Sequence, residues 1–292
     1  MSEICTVNDE SLARAVEIIH DGGLVVIPTD TVYGVACDPR NIEAIRKVFA
    51  AKQRPKYKSL QVLLPSIESM EKLHLTLPVP LNRLAAMCAL AGLDIVALTD
   101  HNTTGNCAAF CAAAERYGLL ALPGMELTTL EEAHIICLFP DLACASAFDA
   151  IVHHRLPPMV NDPAVFGPQV LMDADDRVLG EETALLAGAT GIGVYEVADL
   201  VRSFGGTAFP AHIDRPSFSV LSNLGLWDPA MGFPLAEVSK NCPPDLFDRP
   251  DLSGVRHITA CDAHYLDQIP DAHQYMALPE RTPQAVLAWL AG

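Results

Sequence analysis

Four histidines and two carboxylates, His101, Glu126, His134, His212, Asp262 and His264, are spaced through the C-terminal two-thirds of the chain. Imidazole and carboxylate without thiolate suit divalent metals of hard to borderline character. Each of the six falls at an expected strand end, within a brief polar signature. Several close the C-terminal ends of strands, the face on which parallel α/β barrels gather their active sites. Two or three metals held there would activate a water, polarise a phosphoryl oxygen and offset charge on the leaving oxygen. Any one of these residues alone reads more readily as structural or surface. The set carries the reading, and the chemistry it implies is phosphate-ester hydrolysis.

Other polar groups divide between functional and plain readings. Asp214 and Arg215 follow His212 directly. An Arg beside a metal centre can bind a substrate phosphate, and a salt bridge at the barrel rim explains it equally well. His153 and His154 read as a solvated helix end. Asp173, Asp175 and Asp176 lie between two apolar runs and read as a hairpin turn, because the rest of a calcium loop is absent. Glu237 reads as structural or as support for the ligands. The nine Cys show no regular spacing and no CxxC, which argues against a disulfide framework and a thiolate zinc site. Cys107 and Cys111 share a helix face and read as small buried hydrophobes.

The elements that must position these residues follow from periodicity. In the second part of the chain, strands are expected at 94–98, 119–122, 134–139, 207–209, 236–239 and 257–259. Helices are expected at 108–117, from Thr190 through Phe204, and from Pro283. In the first part, a helix capped by Asn8 or Ser11 carries Leu12, Ala15, Val16 and Ile19, and Gly22-Gly23 ends it. A buried strand follows at 24–27, then a polar turn, a helix at 42–51 and a strand at 60–64.

Charge divides the chain at the same place as motif content. Of the net charge of -17, residues 1–82 carry -1 and the remainder -16. Such an acidic unit repels polyanions, so long nucleic acid is disfavoured as a partner, while divalent cations are not repelled. A small phosphorylated substrate remains compatible if bound metal inverts the local field. The run Leu77-Pro78-Val79-Pro80 is a natural break, giving expected domains 1–78 and 79–292. No apolar run approaches the ~20 residues of a membrane helix, and the first residues lack a secretory pattern. A cytoplasmic protein without membrane partners is the expectation.

Residues 83–278 resemble the PHP (polymerase and histidinol phosphatase) family. The resemblance rests on Ala91-Gly92-Leu93-Asp94-Ile95-Val96-Ala97-Leu98-Thr99-Asp100-His101-Asn102-Thr103, on Pro123-Gly124-Met125-Glu126-Leu127 with His134, on Pro210-Ala211-His212 and on Cys261-Asp262-Ala263-His264. It implies an α/β fold, a distorted (β/α) barrel with up to three divalent metals (zinc, manganese or magnesium), and phosphoesterase chemistry. The family's opening strand, with two His one residue apart, has no counterpart. Its nearest remnant is Lys72-Leu73-His74-Leu75-Thr76, where Thr76 stands in the second-His position. By the family's layout, the site of Glu126, His134 and His212 keeps its ligands. The site sharing Glu126 with Asp262 loses its His pair, and the site of His101 and His264 loses one His. Fewer than three metals and weak or absent turnover are therefore expected, which full metal occupancy with robust turnover would contradict.

Residues 5–75 resemble the YrdC-like family of L-threonylcarbamoyladenylate synthases, through Pro28-Thr29-Asp30-Thr31-Val32-Tyr33-Gly34 and Lys52-Gln53-Arg54-Pro55. The resemblance implies binding of ATP, threonine and bicarbonate in a tRNA-modification pathway. Thr31, Lys52, Arg54 and Lys58 are the positions carried over. The rest of that domain finds no counterpart, so the expected architecture is a truncated YrdC-like α/β fragment followed by an incomplete barrel. Three function classes stand: a metal-dependent phosphoesterase, favoured; a threonylcarbamoyl-adenylate synthase; and an inactive fusion of two truncated domains.

Overall fold

A computed structural model describes residues 4–28, 33–39, 41–53, 80–272 and 274–292. The chain divides into two compact units, Met1–Thr76 and Leu77–Gly292.

In the first unit, α1 spans Asp9–His20. Asn8 and Ser11 cap it reciprocally: the Asn8 side chain accepts from the Ser11 backbone at 2.8 Å, and the Ser11 hydroxyl accepts from the Asn8 backbone at 2.9 Å. Gly22 takes the left-handed conformation that ends the helix. β1 (Val25–Pro28) and β2 (Tyr33–Ala36) pair antiparallel, Val25 opposite Ala36. The expected polar turn thus ends earlier than anticipated and feeds a second strand. α2 (Ile42–Ala51) is capped by Asn41 and buries Ala44 and Val48, while α1 buries no residue. Lys52 is the C-cap of α2. Thr31, Arg54, Lys58, His74, Thr76 and the expected strand at 60–64 lie outside the described residues.

The second unit runs α3 (Leu81–Leu90), β3 (Ile95–Leu98), α4 (Cys107–Arg116), β4 (Leu120–Thr128), β5 (His134–Leu138), α5 (Leu142–Arg155), α6 (Pro163–Phe166), β6 (Val170–Met172), β7 (Val178–Glu181), α7 (Val194–Ser203), β8 (Thr207–Pro210), α8 (Val220–Leu224), β9 (Ala236–Val238), β10 (His257–Thr259) and α9 (Pro283–Ala291). The α/β class is the expected one. Among the described residues the strands form open sheets and close no barrel: a four-stranded sheet β3-β4-β5-β8, a parallel β9-β10 pair and the β6-β7 hairpin. That hairpin carries Asp173, Asp175 and Asp176 in its turn, as expected.

Strand direction decides where the chemistry gathers. β3 runs parallel to β4, so the chain leaves β3 towards His101 beside Glu126 of β4. β5 runs antiparallel to β4, with Thr128 opposite His134. Its first residue therefore lies at the end where β4 finishes. β8 is antiparallel to β5, so it points the same way as β4 and delivers His212 just past its end. The Ala211 N–H donates to the His134 carbonyl at 3.0 Å, which fixes that junction.

Side-chain alternation then decides which face holds what. Met125, Leu127, Ile135 and Cys137 face one core, filled by Phe139, Phe148 and the α7 residues Val194, Val197 and Val201. Leu122, Leu138 and Phe209 face the other, packed with Val286, Leu287 and Leu290 of α9. Glu126, between Met125 and Leu127, takes this second face. α7 starts at Val194, four residues later than the Thr190 cap expected. Glu196 caps through the Gly193 N–H at 3.0 Å, and the Thr190 hydroxyl instead donates to the Thr128 carbonyl at 2.8 Å.

β4 also runs six residues beyond the expected end at Leu122, through Pro123-Gly124. A Cβ on Gly124 would lie 2.7 Å from Leu138 Cδ2 and 2.9 Å from the Cys137 carbonyl oxygen. Gly124→Ala is expected to lower stability by about 1–3 kcal/mol through overpacking, measured by urea denaturation. No helix among the described residues is long and apolar enough to cross a membrane. Cys37, Cys88, Cys107, Cys111, Cys137, Cys144, Cys242 and Cys261 keep free thiols.

Candidate metal centre

Glu126 is the hub. It is 5 % exposed, and three histidine nitrogens approach its two oxygens. His134 Nδ1 lies 2.9 Å from Oε1, His212 Nε2 3.3 Å from Oε1, and His101 Nδ1 3.5 Å from Oε2. His101, Glu126 and His134 each offer a ligand atom within 4.8 Å of the others, a spacing that could hold a metal ion. His212 is buried, and its Nδ1 has no hydrogen-bond partner. Imidazole and carboxylate donors packed this closely fit a divalent ion.

Burial alone would raise the Glu126 pKa. Hydrogen bonds from His134 and His212, and the charge of His101, outweigh it and hold the carboxyl well below its usual range. Burial lowers the His101 pKa, opposed by Glu126 and reinforced by His134 and His264. Both groups are thus set in the form a metal ligand needs, carboxylate and neutral imidazole.

The other two expected ligands, Asp262 and His264, do not belong to that close group. Asp262 Oδ2 lies 2.6 Å from Arg215 Nη1. His264 Nδ1 lies 3.0 Å from the Asp262 carbonyl oxygen, and its ring centroid is 6.3 Å from that of His101. Arg215, expected at a substrate phosphate or a rim salt bridge, makes this ion pair. A cavity of about 340 Å³ opens beside His212 and Asp262, lined also by Arg215, Glu237, Ser239 and Lys240.

Four residues of the region hold left-handed backbone without being glycine: Asn102 at φ 51°, His212 at 33°, Phe218 at 53° and Asp262 at 43°. Such strain persists only where surroundings over-determine it. For Asn102 they are visible. Its Nδ2 donates to the carbonyls of Leu186 and Gly188 at 2.7 and 2.9 Å, and its Oδ1 accepts from the Thr128 N–H at 2.8 Å. The residue after His101 is thereby tied to the strand that carries Glu126.

Phe218 was not among the expected residues. It stacks on His134 with ring centroids 4.8 Å apart and planes 17° apart, and its carbonyl accepts from the His134 N–H at 2.9 Å. No spacing rule signals an aromatic in a loop after Pro216. His153 and His154 end α5, as expected, with His153 Nε2 3.5 Å from Glu182.

Glu237 is 4 % exposed at the cavity floor. Burial, then the charges of Glu126 and Asp262, push its pKa up to about 8. Its folded form keeps a proton that the unfolded chain releases near pH 4.5, so stability falls as pH rises through that window to about 8. In chelator-treated protein, Glu237→Gln is expected to raise Tm at pH 8 and to match wild type near pH 4.5. Thermal melts across that range check it, and a constant difference would contradict it.

Comparison with known proteins adds the following. Residues 17–115 match the family model Sua5_yciO_yrdC, described as telomere recombination. The match runs past the Thr76/Leu77 boundary into α4. A threonylcarbamoyl-AMP synthase from Psychromonas ingrahamii is 43 % identical over 61 residues, 21 % of this chain and 32 % of that protein. The chain spans between a fifth and two-fifths of the length of the first curated relatives it matches. Among solved structures, a lesion-specific endonuclease from Pyrococcus furiosus aligns with TM-score 0.48 and 15 % identity, over 73 % of this chain and 50 % of that one. A protein taken to be a metal-dependent phosphoesterase, from Bifidobacterium adolescentis, aligns with TM-score 0.46 and 19 % identity, over 64 % and 83 %. The resemblance carried by the N-terminal motifs is thus matched by the Sua5_yciO_yrdC model over residues 17–115 of this chain.

Proposed function

We propose that the second unit is a metal-dependent phosphoesterase acting on small phosphate esters. The observation that carries this reading is the buried Glu126 carboxylate with three histidine nitrogens within 3.5 Å, from four separate stretches of chain. Glu126, His134, His212 and His101 would hold a zinc, manganese or magnesium ion. When bound, such an ion supplies Lewis acidity towards a phosphoryl oxygen and a lowered pKa for water. Phe218 fixes the plane of His134. Asp262 orients the Arg215 guanidinium at the cavity wall, where its remaining N–H donors suit a phosphate oxygen. The acidic balance of this unit favours a small ester over long nucleic acid. Turnover is expected to be slow, given the missing His pair.

A second reading has its own support in the match at residues 17–115 and the Pro-Thr-Asp-Thr-Val-Tyr-Gly run. In it, the first unit binds ATP and threonine and contributes to threonylcarbamoyl-AMP synthesis. The test runs both assays on the same protein. Chelator-treated chain is supplied with manganese, zinc or magnesium and a panel of phosphate mono- and diesters. In parallel, pyrophosphate release from ATP is measured with threonine and bicarbonate. Metal-dependent ester hydrolysis supports the first reading. Pyrophosphate release alone would reverse the ranking, and silence in both assays would leave the inactive fusion.

A further inference from the structure

The Glu126 cluster is not the whole set of expected ligands, and the remainder are held by other partners. Asp262 Oδ2 faces Arg215 Nη1 at 2.6 Å, a short charge-assisted contact. An arginine keeps its charge at any accessible pH, so it does not step aside by losing a proton. His264 turns Nδ1 back on its own loop, 3.0 Å from the Asp262 carbonyl oxygen. The neighbouring carboxylate of the cavity, Asp214, is engaged too: its oxygens accept from the Ser239 N–H at 2.7 Å and the Ser239 hydroxyl at 2.6 Å. One side of the region is therefore a close cluster of metal donors, and the other is a carboxylate already neutralised by a fixed cation.

We propose that the centre takes a single divalent ion, at the Glu126 cluster, and that the Arg215 guanidinium stands as a permanent cation on the Asp262 side of the cavity in place of a second ion. This inference rests on the metal-dependent reading given above. Asp262 then acts as the positioning residue of Arg215 and not as a metal ligand. Arg215 lines the cavity together with His212, so a phosphate ester placed there would face the guanidinium beside one of the histidines that would hold the ion. A fixed guanidinium beside a single bound ion would offer a phosphoryl group two positive centres with one metal.

The experiment titrates chelator-treated full-length chain with manganese. Bound metal is counted by inductively coupled plasma mass spectrometry after desalting, and the loaded protein is examined by electron paramagnetic resonance. The expected result is one ion per chain with the spectrum of an isolated manganese. Asp262→Asn should keep that stoichiometry, with affinity changed by no more than about tenfold, the scale of an outer partner. Glu126→Gln should bind none. Circular dichroism verifies that each variant is folded, and the wild-type spectrum decides the matter without either variant. Two or more ions, a spin-coupled pair, or loss of the ion in folded Asp262→Asn would overturn the inference and leave the metal centre standing. A wild-type chain that binds no manganese would overturn both.

Discussion

Glu126→Gln is expected to remove ion binding and to lower metal-dependent ester hydrolysis by at least about a thousandfold. The magnitude follows from the several kcal/mol that a Lewis-acid ion contributes at a phosphoryl centre, each 1.36 kcal/mol being tenfold in rate. The neighbouring carboxylates are poor substitutes, because Asp262 is committed to Arg215, Asp214 to Ser239, and buried Glu237 keeps its proton up to about pH 8. The same change weakens the metal-free fold. Hydrogen bonds from His134 and His212 to a buried carboxylate are replaced by weaker ones to an uncharged amide, which costs about 1.5–3 kcal/mol. The pH dependence has a definite sign. Glu126 titrates lower in the folded chain than in the unfolded one, so its contribution is complete above about pH 4.5 and is lost as pH falls through the folded value. The gap between wild type and Glu126→Gln in urea denaturation should therefore be widest near neutral pH and shrink under strong acid. A gap independent of pH would contradict the carboxylate's role.

Asn102→Ala is the second large effect. It deletes three hydrogen bonds at once and leaves the Thr128 N–H and the Leu186 carbonyl, both enclosed, without a partner. Stranded buried groups cost more than the net value of the bonds, and the total is expected at about 3–5 kcal/mol. The backbone adds to this, since φ of 51° is tolerated by Asn and resisted by Ala. Asn102→Gly separates the two contributions: it should recover about 1–2 kcal/mol of the loss while leaving the hydrogen bonds unmade. Urea denaturation of all three proteins measures both. Ion affinity should fall in both variants, because Asn102 ties the His101 segment to β4.

These two residues show how far the sequence was legible. His101, Glu126, His134 and His212 were each recognisable from a polar residue at one end of an expected strand. Their convergence was not, because it depends on β5 and β8 alternating direction beside β4, and periodicity carries no information on direction. Strand ends failed where local chemistry was overruled by packing. Pro123-Gly124 reads as a terminator of strands, yet Gly124 is required there because Leu138 and Cys137 leave no room for a Cβ. Thr190 reads as a helix cap and is instead a tether to Thr128. Arg215 was visible as a cation near the site, but its partner Asp262 lies 47 residues on, beyond any local pattern. In the first unit, Asn8 and Ser11 were legible because capping is local.

The spread of the Glu126 cluster along the chain also has a kinetic meaning. Its donors come from positions 101, 126, 134 and 212, so the ion's pocket exists only after distant segments have been brought together. Contacts of such long sequence separation form late on the folding route. An ion bound there stabilises the native state without stabilising the transition state, and so it should retard unfolding while leaving the refolding rate nearly untouched. Metal would then act on this chain chiefly as a determinant of its lifetime.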